Sequence, residues 1–459
     1  MYMAKTLFIY FLLKGPISRT ILCMSKKTKL STDNYKGVRD FYPEDLREQK
    51  YIRSKMREVV EGFGYEEYNA SPLEYTEIYA AKSGEEIVKE QTYTFEDKGG
   101  RTVSLRPEMT PTVARMIAKK TRELTFPVRW YSIANLFRYE SPQKGRLREH
   151  YQLNADIFGG VTEDADMEMI SLIHAIMKSF GAKTTDFTIY INDRRLLNSL
   201  YDIHEIDSDL RPEISKLLDK KDKMNSKEFI RAMSELIEKE KTESLLENIS
   251  SPNKVLEVLG QEDPSITHII NIIERLNRNS VTNVFFNPTL VRGFDYYTGL
   301  VFEVFDTDSK NPRSIFGGGR YDSLVSLFSD RDIPAVGFGL GDVRLLEFLK
   351  NHSLLPDYDS EIKIMICHAG SHSYAKSSAI ANFFREDKIP TEVDISGKKL
   401  KDQISRASKR GIPFVIISGD DQTSEQIKIK HLVSKKELEL GIEEVRNWVK
   451  ETLNKNDSW

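Results

Sequence analysis

VRWYSIANLFRYESPQKGRLREHYQLNADIFG, residues 128–159, decides how most of the chain is read. Two runs of alternating apolar residues flank a polar, basic loop, the pattern of a β-hairpin. Arg138 and Glu140 stand two apart at the end of the first run, so a strand puts both on one face. Gln152, Asn154 and Asp156 recur with the same period in the second run. A hairpin built this way offers several polar groups to one small ligand, beneath a loop carrying Gln143, Lys144, Arg146 and Arg148. A merely charged hairpin would rarely keep so many polar residues on both inward faces.

Outward from the hairpin, helices and strands come in runs and not in strict βαβ order. An amphipathic helix is predicted from Asp45 to the glycines of GFGY, then a strand over YEEYNASPLEYTEIY interrupted at Pro72. TYTFEDKGGRTVSLRPE reads as a second hairpin around a double-glycine turn, and TPTVARMIAKKT and ADMEMISLIHAIMKSFG as helices. The fold class is therefore α+β, helices on an antiparallel sheet. Residues 195–280 are highly charged and poor in aromatics, as expected of a helical insertion. Sequence with β, α, β, α, β, β order fills 360–459, ending in a helix over KKELELGIEEVRNWVKETL; a separate α/β domain with a parallel or mixed sheet is expected. The resulting domains are a leader (1–33), a first part of the main domain (34–194), the insertion, the second part (281–355) and the C-terminal domain.

The bulk properties narrow the function. The chain has 459 residues, 39% hydrophobic and 30% charged, with a formal net charge of −3. A polyanion would have to be met by local basic patches, not by overall charge. Two cysteines, Cys23 and Cys367, without metal-ligand spacing, speak against a disulfide scaffold or a zinc site and for a reducing compartment. The leader carries Lys5, Lys14, Arg19, Lys26, Lys27 and Lys29 with no acid before Asp33. Its apolar run Leu7–Leu13 is too short to span a bilayer. A start at Met24 in a cytoplasmic protein is the favoured reading, with an organellar transit peptide as the alternative.

Three further clusters join the hairpin. LRPEMTPT (105–112) sets Glu108 and Thr110 after a strand end, where an acid can accept from an ammonium group. VRGFDYYTGLVFEVF (291–305) crowds Arg292, Asp295, Tyr296 and Tyr297 at the mouth of a strand. FGGGRYD (316–322) and VGFGLGDVRLL (336–346) combine glycines, against which a flat ligand can lie, with Tyr321 and with Arg344 at a helix start, where a guanidinium can bind phosphate bidentately.

Together these clusters resemble a class II aminoacyl-tRNA synthetase, specifically the histidyl-tRNA synthetase family. GVRDFYP (37–43), with the helix and Pro72, resembles motif 1, which builds the dimer interface in that family. FRYESPQKGRLREHYQ resembles motif 2 and GFGLGDVRLL motif 3, while LVRGFDYYTGLVFEVF and FGGGRYD are similar to the two histidine motifs. The resemblance runs from about Val38 to the C-terminus. It implies ATP and L-histidine as substrates with Mg²⁺, histidine tRNA as partner, a homodimer, and no membrane association. It implies that Arg292 contacts the α-phosphate and, with Arg138, is catalytic. Glu108, Thr110, Gln152, Asp156, Tyr296, Tyr297 and Tyr321 would hold histidine, with Asp156 as acidic partner of the imidazole. Glu140 would read the adenine amino group, and Arg138, Arg146, Arg292 and Arg344 would bind ATP. Gln143, Lys144 and Arg148 would approach the tRNA. In the C-terminal domain the basic helix KKLKDQISRASKRG (398–411) would face the anticodon stem-loop. The rival implication is a paralogue that only senses histidine, the regulatory subunit of ATP phosphoribosyltransferase; such paralogues usually lack the complete histidine motif and the anticodon domain.

Overall fold

The computed structural model of the chain describes residues 29–80, 91–143, 145–221, 224–291, 296–311, 313–357, 360–369, 374–419 and 426–456. Arg292, Lys144 and the leader to residue 28 lie outside them. The described residues fall into two compact units that divide between Leu355 and Pro356.

The strands of the first unit are β1 (Glu66–Glu67), β2 (Leu73–Tyr75), β3 (Tyr93–Glu96), β4 (Thr102–Leu105), β5 (Val128–Phe137), β6 (Glu149–Phe158), β7 (Phe187–Asp193), β8 (Val284–Phe286), β9 (Leu300–Asp306), β10 (Ser314–Arg320) and β11 (Ala335–Gly341). Eight of them form one sheet in the order β1-β5-β6-β11-β10-β9-β7-β8. Pairing is antiparallel throughout the interior and parallel only where β1 meets β5 and β8 meets β7. The strand expected over residues 65–79 is instead divided. β1 joins the large sheet, β2 resumes after Pro72 in a three-stranded sheet with β4 and β3, and Glu77–Ala80 is helical. Proline cannot donate to a ladder, and here its carbonyl accepts from the Arg106 N–H at 2.8 Å instead.

Period-two alternation gives the large sheet two unlike faces. Leu153, Ala155 and Ile157 of β6, Phe302 and Val304 of β9, and Val336, Phe338 and Leu340 of β11 are buried in one apolar cluster with the helices Pro43–Gly62 and Glu163–Ser179. Each of these side chains except that of Ala155 contributes roughly 1.5–3 kcal/mol by leaving water. The intervening residues Gln152, Asn154 and Asp156 therefore point to the opposite face. Across from Asp156 stands Gly337, and across from Gln152 stands Gly341, with Gly339 between them opposite Asn154.

The helical segment after β7 comprises Arg194–Ile203, Arg211–Lys220, Ser226–Ser234, Lys239–Asn248, Pro252–Leu259 and Pro264–Arg278. Leu200, Phe229, Leu245, Ile269 and Ile272 from it belong to the same apolar cluster as the sheet. Amphipathic helices of this length acquire most of their stability from such packing.

In the second unit, β12 (Ile364–Ala369), β13 (Thr391–Val393), β14 (Phe414–Gly419), β15 (Gln426–His431) and β16 (Glu437–Gly441) form a mixed sheet in the order β13-β12-β14-β15-β16. The expected closing helix starts only at Ile442, because ELELG is a strand. Its register on IKIKH sets Glu437 opposite Lys430, and Lys428 reaches it diagonally, Nζ lying 2.6 Å from Oε1, while Leu438 and Leu440 pack on the unit's core. Cross-strand pairing outweighs the helix propensity of Glu and Leu here.

Candidate active site

The polar face of the sheet closes around a cavity of about 130 Å³ lined by Glu108, Thr110, Arg138, Gln152, Asp156, Tyr296, Tyr297 and Tyr321, among others. Five separate stretches of chain thus converge on one amino-acid-sized space. Glycines make the room. A Cβ on Gly337 would stand 2.0 Å from Asp156 Oδ1, and one on Gly339 2.1 Å from Gln152 Nε2. Glycine within a strand costs roughly 0.5–1 kcal/mol relative to alanine, which this close approach explains.

Asp156 is 1% exposed. Its Oδ1 accepts from the Tyr321 hydroxyl, whereas Oδ2 has no hydrogen-bond partner among the described residues. Burial pushes its pKa up to about 7 against the opposing pull of that hydrogen bond. A buried carboxylate oxygen left unpaired is costly unless a ligand satisfies it, so the site is built for an N–H donor or a cation. Around it, the rings of Tyr296 and Tyr297 lie 4.8 Å apart and those of Tyr296 and Tyr321 5.7 Å apart, apolar surfaces suited to a flat ring. Glu108, 3% exposed, accepts from the Tyr296 hydroxyl at 3.1 Å and adds a second carboxylate. It precedes Thr110, the first residue of the helix Thr110–Lys120. Arg138 borders the cavity with its Nε donating to the Pro107 carbonyl at 2.9 Å. β5 ends at Phe137, so Arg138 and Glu140 follow the strand instead of lying within it. The ladder continues for one more bond, Arg138 N–H to the Arg148 carbonyl at 2.9 Å.

Arg292 and Lys144 lie outside the described residues; the other predicted residues, Glu140, Gln143, Arg146, Arg148 and Arg344, are not among those lining the cavity. Glu140 pairs with Arg146 at 3.0 Å. Arg148 donates to the Glu140 carbonyl and the Tyr35 hydroxyl, and its guanidinium stacks 4.2 Å from the Tyr139 ring centre. Gln143 and Arg146 exchange backbone hydrogen bonds around the tight turn at Gly145, and the Gln143 amide oxygen accepts from Arg313. A Cβ on Gly145 would meet Arg344 Cδ at 2.7 Å, so the turn sits against Arg344. Arg344 itself donates to Glu347, Asn311 and the Arg313 carbonyl.

Sequence reasoning did not single out Ser314 and Phe316, which line the cavity, nor His150, Tyr68 and Ser132, which are not among its lining residues. His150 continues the Gln152–Asp156 face by the same period, a signal open to reading. Burial and the neighbouring Arg138 cation push its pKa down to about 3, so it is neutral. Ser132 stands opposite Asn154 and is buried, and the buried Tyr68 rests on Trp130, ring centres 5.8 Å apart. No local pattern marks these two. A larger, open groove of about 530 Å³ near Phe63 and Met167 is less suited to chemistry, since its Arg129 and Glu168 already bind each other in a fork.

Comparison with known proteins bears on the family and the fold. The histidyl-tRNA synthetase family pattern matches residues 37–345, and an anticodon binding domain matches 362–452. The chain is 42% identical over 437 residues to the histidine–tRNA ligase of Leptospira biflexa, covering 94% of this chain and all of that one. It is 35% identical over 433 residues to the histidine–tRNA ligase of Thermococcus kodakarensis, covering 90% of this chain and 98% of that one. The crystal structure of histidyl-tRNA synthetase from Nostoc sp. PCC 7120 shares the fold, with TM-score 0.75 and 22% identity over 92% of this chain and all of that one.

Proposed function

The chain belongs to the histidyl-tRNA synthetase family, and from that premise we propose how its residues divide the work. The reaction is histidine–tRNA ligation. L-Histidine and ATP give histidyl-adenylate and pyrophosphate, and the histidyl group then passes to the 3′ end of histidine tRNA with release of AMP. The observation that carries the residue assignment is Asp156, a buried carboxylate with one oxygen unpaired beside three tyrosine rings.

In this reading the imidazole N–H donates to Asp156 Oδ2, with the ring against Tyr297 and Tyr321 and the Gln152 amide nearby. The α-ammonium is held by Glu108 and Thr110, with Tyr296 orienting Glu108. A histidine seated this way leaves its carboxylate facing the α-phosphate of ATP. A carboxylate oxygen attacks the α-phosphorus, the bond to the bridging oxygen breaks, and pyrophosphate leaves. The nucleophile is already ionised, so no general base is needed. The barrier lies in charge on phosphoryl oxygens, which Arg292, Arg138, Arg146 and Arg344 would stabilise. Glu140 would receive the adenine amino group after parting from Arg146. In the second step the terminal adenosine hydroxyl attacks the acyl carbon and AMP leaves.

Mg²⁺ bound to ATP phosphates keeps several waters and takes one or two carboxylates. Glu303 fits that need, since it stands opposite the cavity-lining Gly317 and shares its face. Bound there, the ion would neutralise phosphate charge. Selectivity needs no editing segment, because a polar pocket left unpaired by other side chains discriminates by as much as ~10⁴–10⁵.

For tRNA, the loop residues Gln143 and Lys144 would approach the acceptor end, with Arg148 bracing the loop through Tyr35 and Tyr139. In the second unit Arg406 and Arg410 pair with Glu392, while Lys398, Lys399, Lys401 and Lys409 are exposed and would serve phosphates of the anticodon stem-loop. A homodimer is supported by the three-stranded sheet that follows motif 1. Leu73, Tyr75 and Phe95 lie on one of its faces and are 42%, 47% and 47% exposed. Sedimentation equilibrium at micromolar concentration is expected to give twice the chain mass; the mass of one chain would remove this assignment. The cytoplasm is the proposed compartment, which cell fractionation tests; among the described residues no helix is long and apolar enough to cross a membrane.

The deciding experiment is ATP–pyrophosphate exchange with each of the twenty amino acids. Exchange with histidine alone, dependent on Mg²⁺ and followed by charging of histidine tRNA, is expected. Histidine binding without exchange would overturn the catalytic assignment in favour of a sensor.

A further inference from the structure

Two tyrosines of the pocket, Tyr297 and Tyr321, lie on segments where regular strand pairing has stopped, and a chain of polar contacts takes its place. Thr298 donates its hydroxyl to Asp322 Oδ2 at 3.0 Å and accepts the Asp322 N–H at 3.1 Å. Its own N–H donates to the Arg320 carbonyl at 2.8 Å. Arg320 and Asp322 flank Tyr321 just as Thr298 follows Tyr297. The Arg320 guanidinium continues the chain, with Nη1 donating to Asp322 Oδ1 at 3.3 Å and to the Gly160 carbonyl at 3.0 Å, and Nε to Asp166 Oδ1 at 3.0 Å.

Asp166, 2% exposed, is also 3.4 Å from His268 Nε2, on the last helix of the helical segment. His268 Nδ1 lies 2.9 Å from Asp193 Oδ2 at the end of β7. Asp193 stands opposite Leu300, and the next N–H, of Arg194, donates to the Gly299 carbonyl at 3.0 Å. The chain of contacts therefore returns to the residue after Thr298 and forms a closed ring. Its charges balance: Asp166, Asp193 and Asp322 meet Arg320, His268 and Arg195, whose Nε is 2.9 Å from Asp193 Oδ1. Burial lowers the His268 pKa, but the two carboxylates outweigh it and raise it to about 9, so the ring is a cation at neutral pH, even with Arg195 Nη2 3.0 Å from its Nδ1.

We propose that Thr298, Arg320 and His268 are positioning residues that hold Tyr297 and Tyr321 at a fixed separation across the histidine pocket. Binding constellations need such support to stay within about 0.5 Å of productive geometry. The inference rests on the reading of that pocket as the histidine site. Thr298→Val removes the hydroxyl at nearly constant shape, and Thr298→Ser restores it. In pyrophosphate exchange, Thr298→Val is expected to raise the histidine KM about tenfold, the loss of one well-placed hydrogen bond. The ATP KM should stay unchanged while the melting temperature falls modestly as the Asp322 N–H loses its acceptor, and Thr298→Ser should behave as wild type. His268→Asn should act in the same direction, since Asp166 then loses a partner and Arg320 its fixed anchor. Tyr321→Phe is the control for the pocket. A raised histidine KM in Tyr321→Phe with none in Thr298→Val would overturn the ring while leaving the pocket intact. No change in either would overturn the pocket and the ring together. A fall in melting temperature with both KM values unmoved would make the ring purely structural and overturn its positioning role.

Discussion

Asp156→Asn is expected to lower kcat/KM for histidine about a hundredfold, the cost of a charge-assisted hydrogen bond, and to raise the melting temperature at pH 8. The two effects have one cause. The Asp156 carboxyl titrates near 7 in the folded protein against an ordinary value of 3.8, because it is buried. Between those values the folded state keeps a proton that the unfolded state has lost, so stability falls as pH rises from about 4 to about 7 and stays low above. A shift of that size corresponds to about 4 kcal/mol. Asparagine cannot ionise, so it escapes this cost while still accepting from Tyr321. In the proposed pocket it would present an amide where the imidazole N–H would meet a carboxylate. Thermal melts of both proteins at pH 5 and pH 8 check the stability arm, and the gap should be wide at pH 8 and small at pH 5. A variant that melts below wild type at pH 8 would show that Asp156 is satisfied by the protein itself and is not held open for a ligand.

The second large effect is expected at the arginines. Arg292→Ala and Arg138→Ala should each slow adenylate formation by about 10²–10³, or about 2.7–4 kcal/mol, as when one preorganised donor to a developing charge is removed. Histidine binding should change little, because neither guanidinium is assigned to the ring or the ammonium. Rapid-quench measurement of histidyl-adenylate in a single turnover, alongside equilibrium binding of histidine, separates the two steps. Single-turnover rates within tenfold of wild type would remove these residues from the catalytic role. A parallel loss of histidine binding would instead assign them to the amino-acid side of the pocket.

How much of this was open to reading along the chain differs from residue to residue. Gln152, Asn154 and Asp156 share a face because a strand alternates, a property of three adjacent turns of backbone that needs no partner to be inferred. The glycines of FGGGRYD and VGFGLG announced close approach and were read as room for a flat ligand. Only the pairing of β6 with β11 shows that Gly337 makes way for Asp156 and Gly339 for Gln152. ELELG fits a helix start as well as a strand, and the choice fell to Lys428 and the core beneath Leu438 and Leu440. Arg344 was marked as a phosphate ligand by its place at a helix start; its bond to Glu347 is a local i,i+3 pair, whereas that to Asn311 joins a loop residue 33 positions away.

Sequence alone determined the periodicity, the hairpin at 128–159, most of the helices and the residue types offered for chemistry, and the family resemblance linked them into one reaction. These follow from local sterics, hydrogen-bonding patterns and side-chain chemistry, which act over a few residues. The tertiary structure alone decided the titration of Asp156, the neutrality of His150 and the ring from Thr298 through Arg320 to His268. Each depends on desolvation or on charges brought together from distant segments: Arg320 meets Asp166 across 154 positions and Tyr321 meets Asp156 across 165. Exclusion of water and the fields of neighbouring charges are properties of the packed sheet and its helices, so they come into being only when the chain has folded.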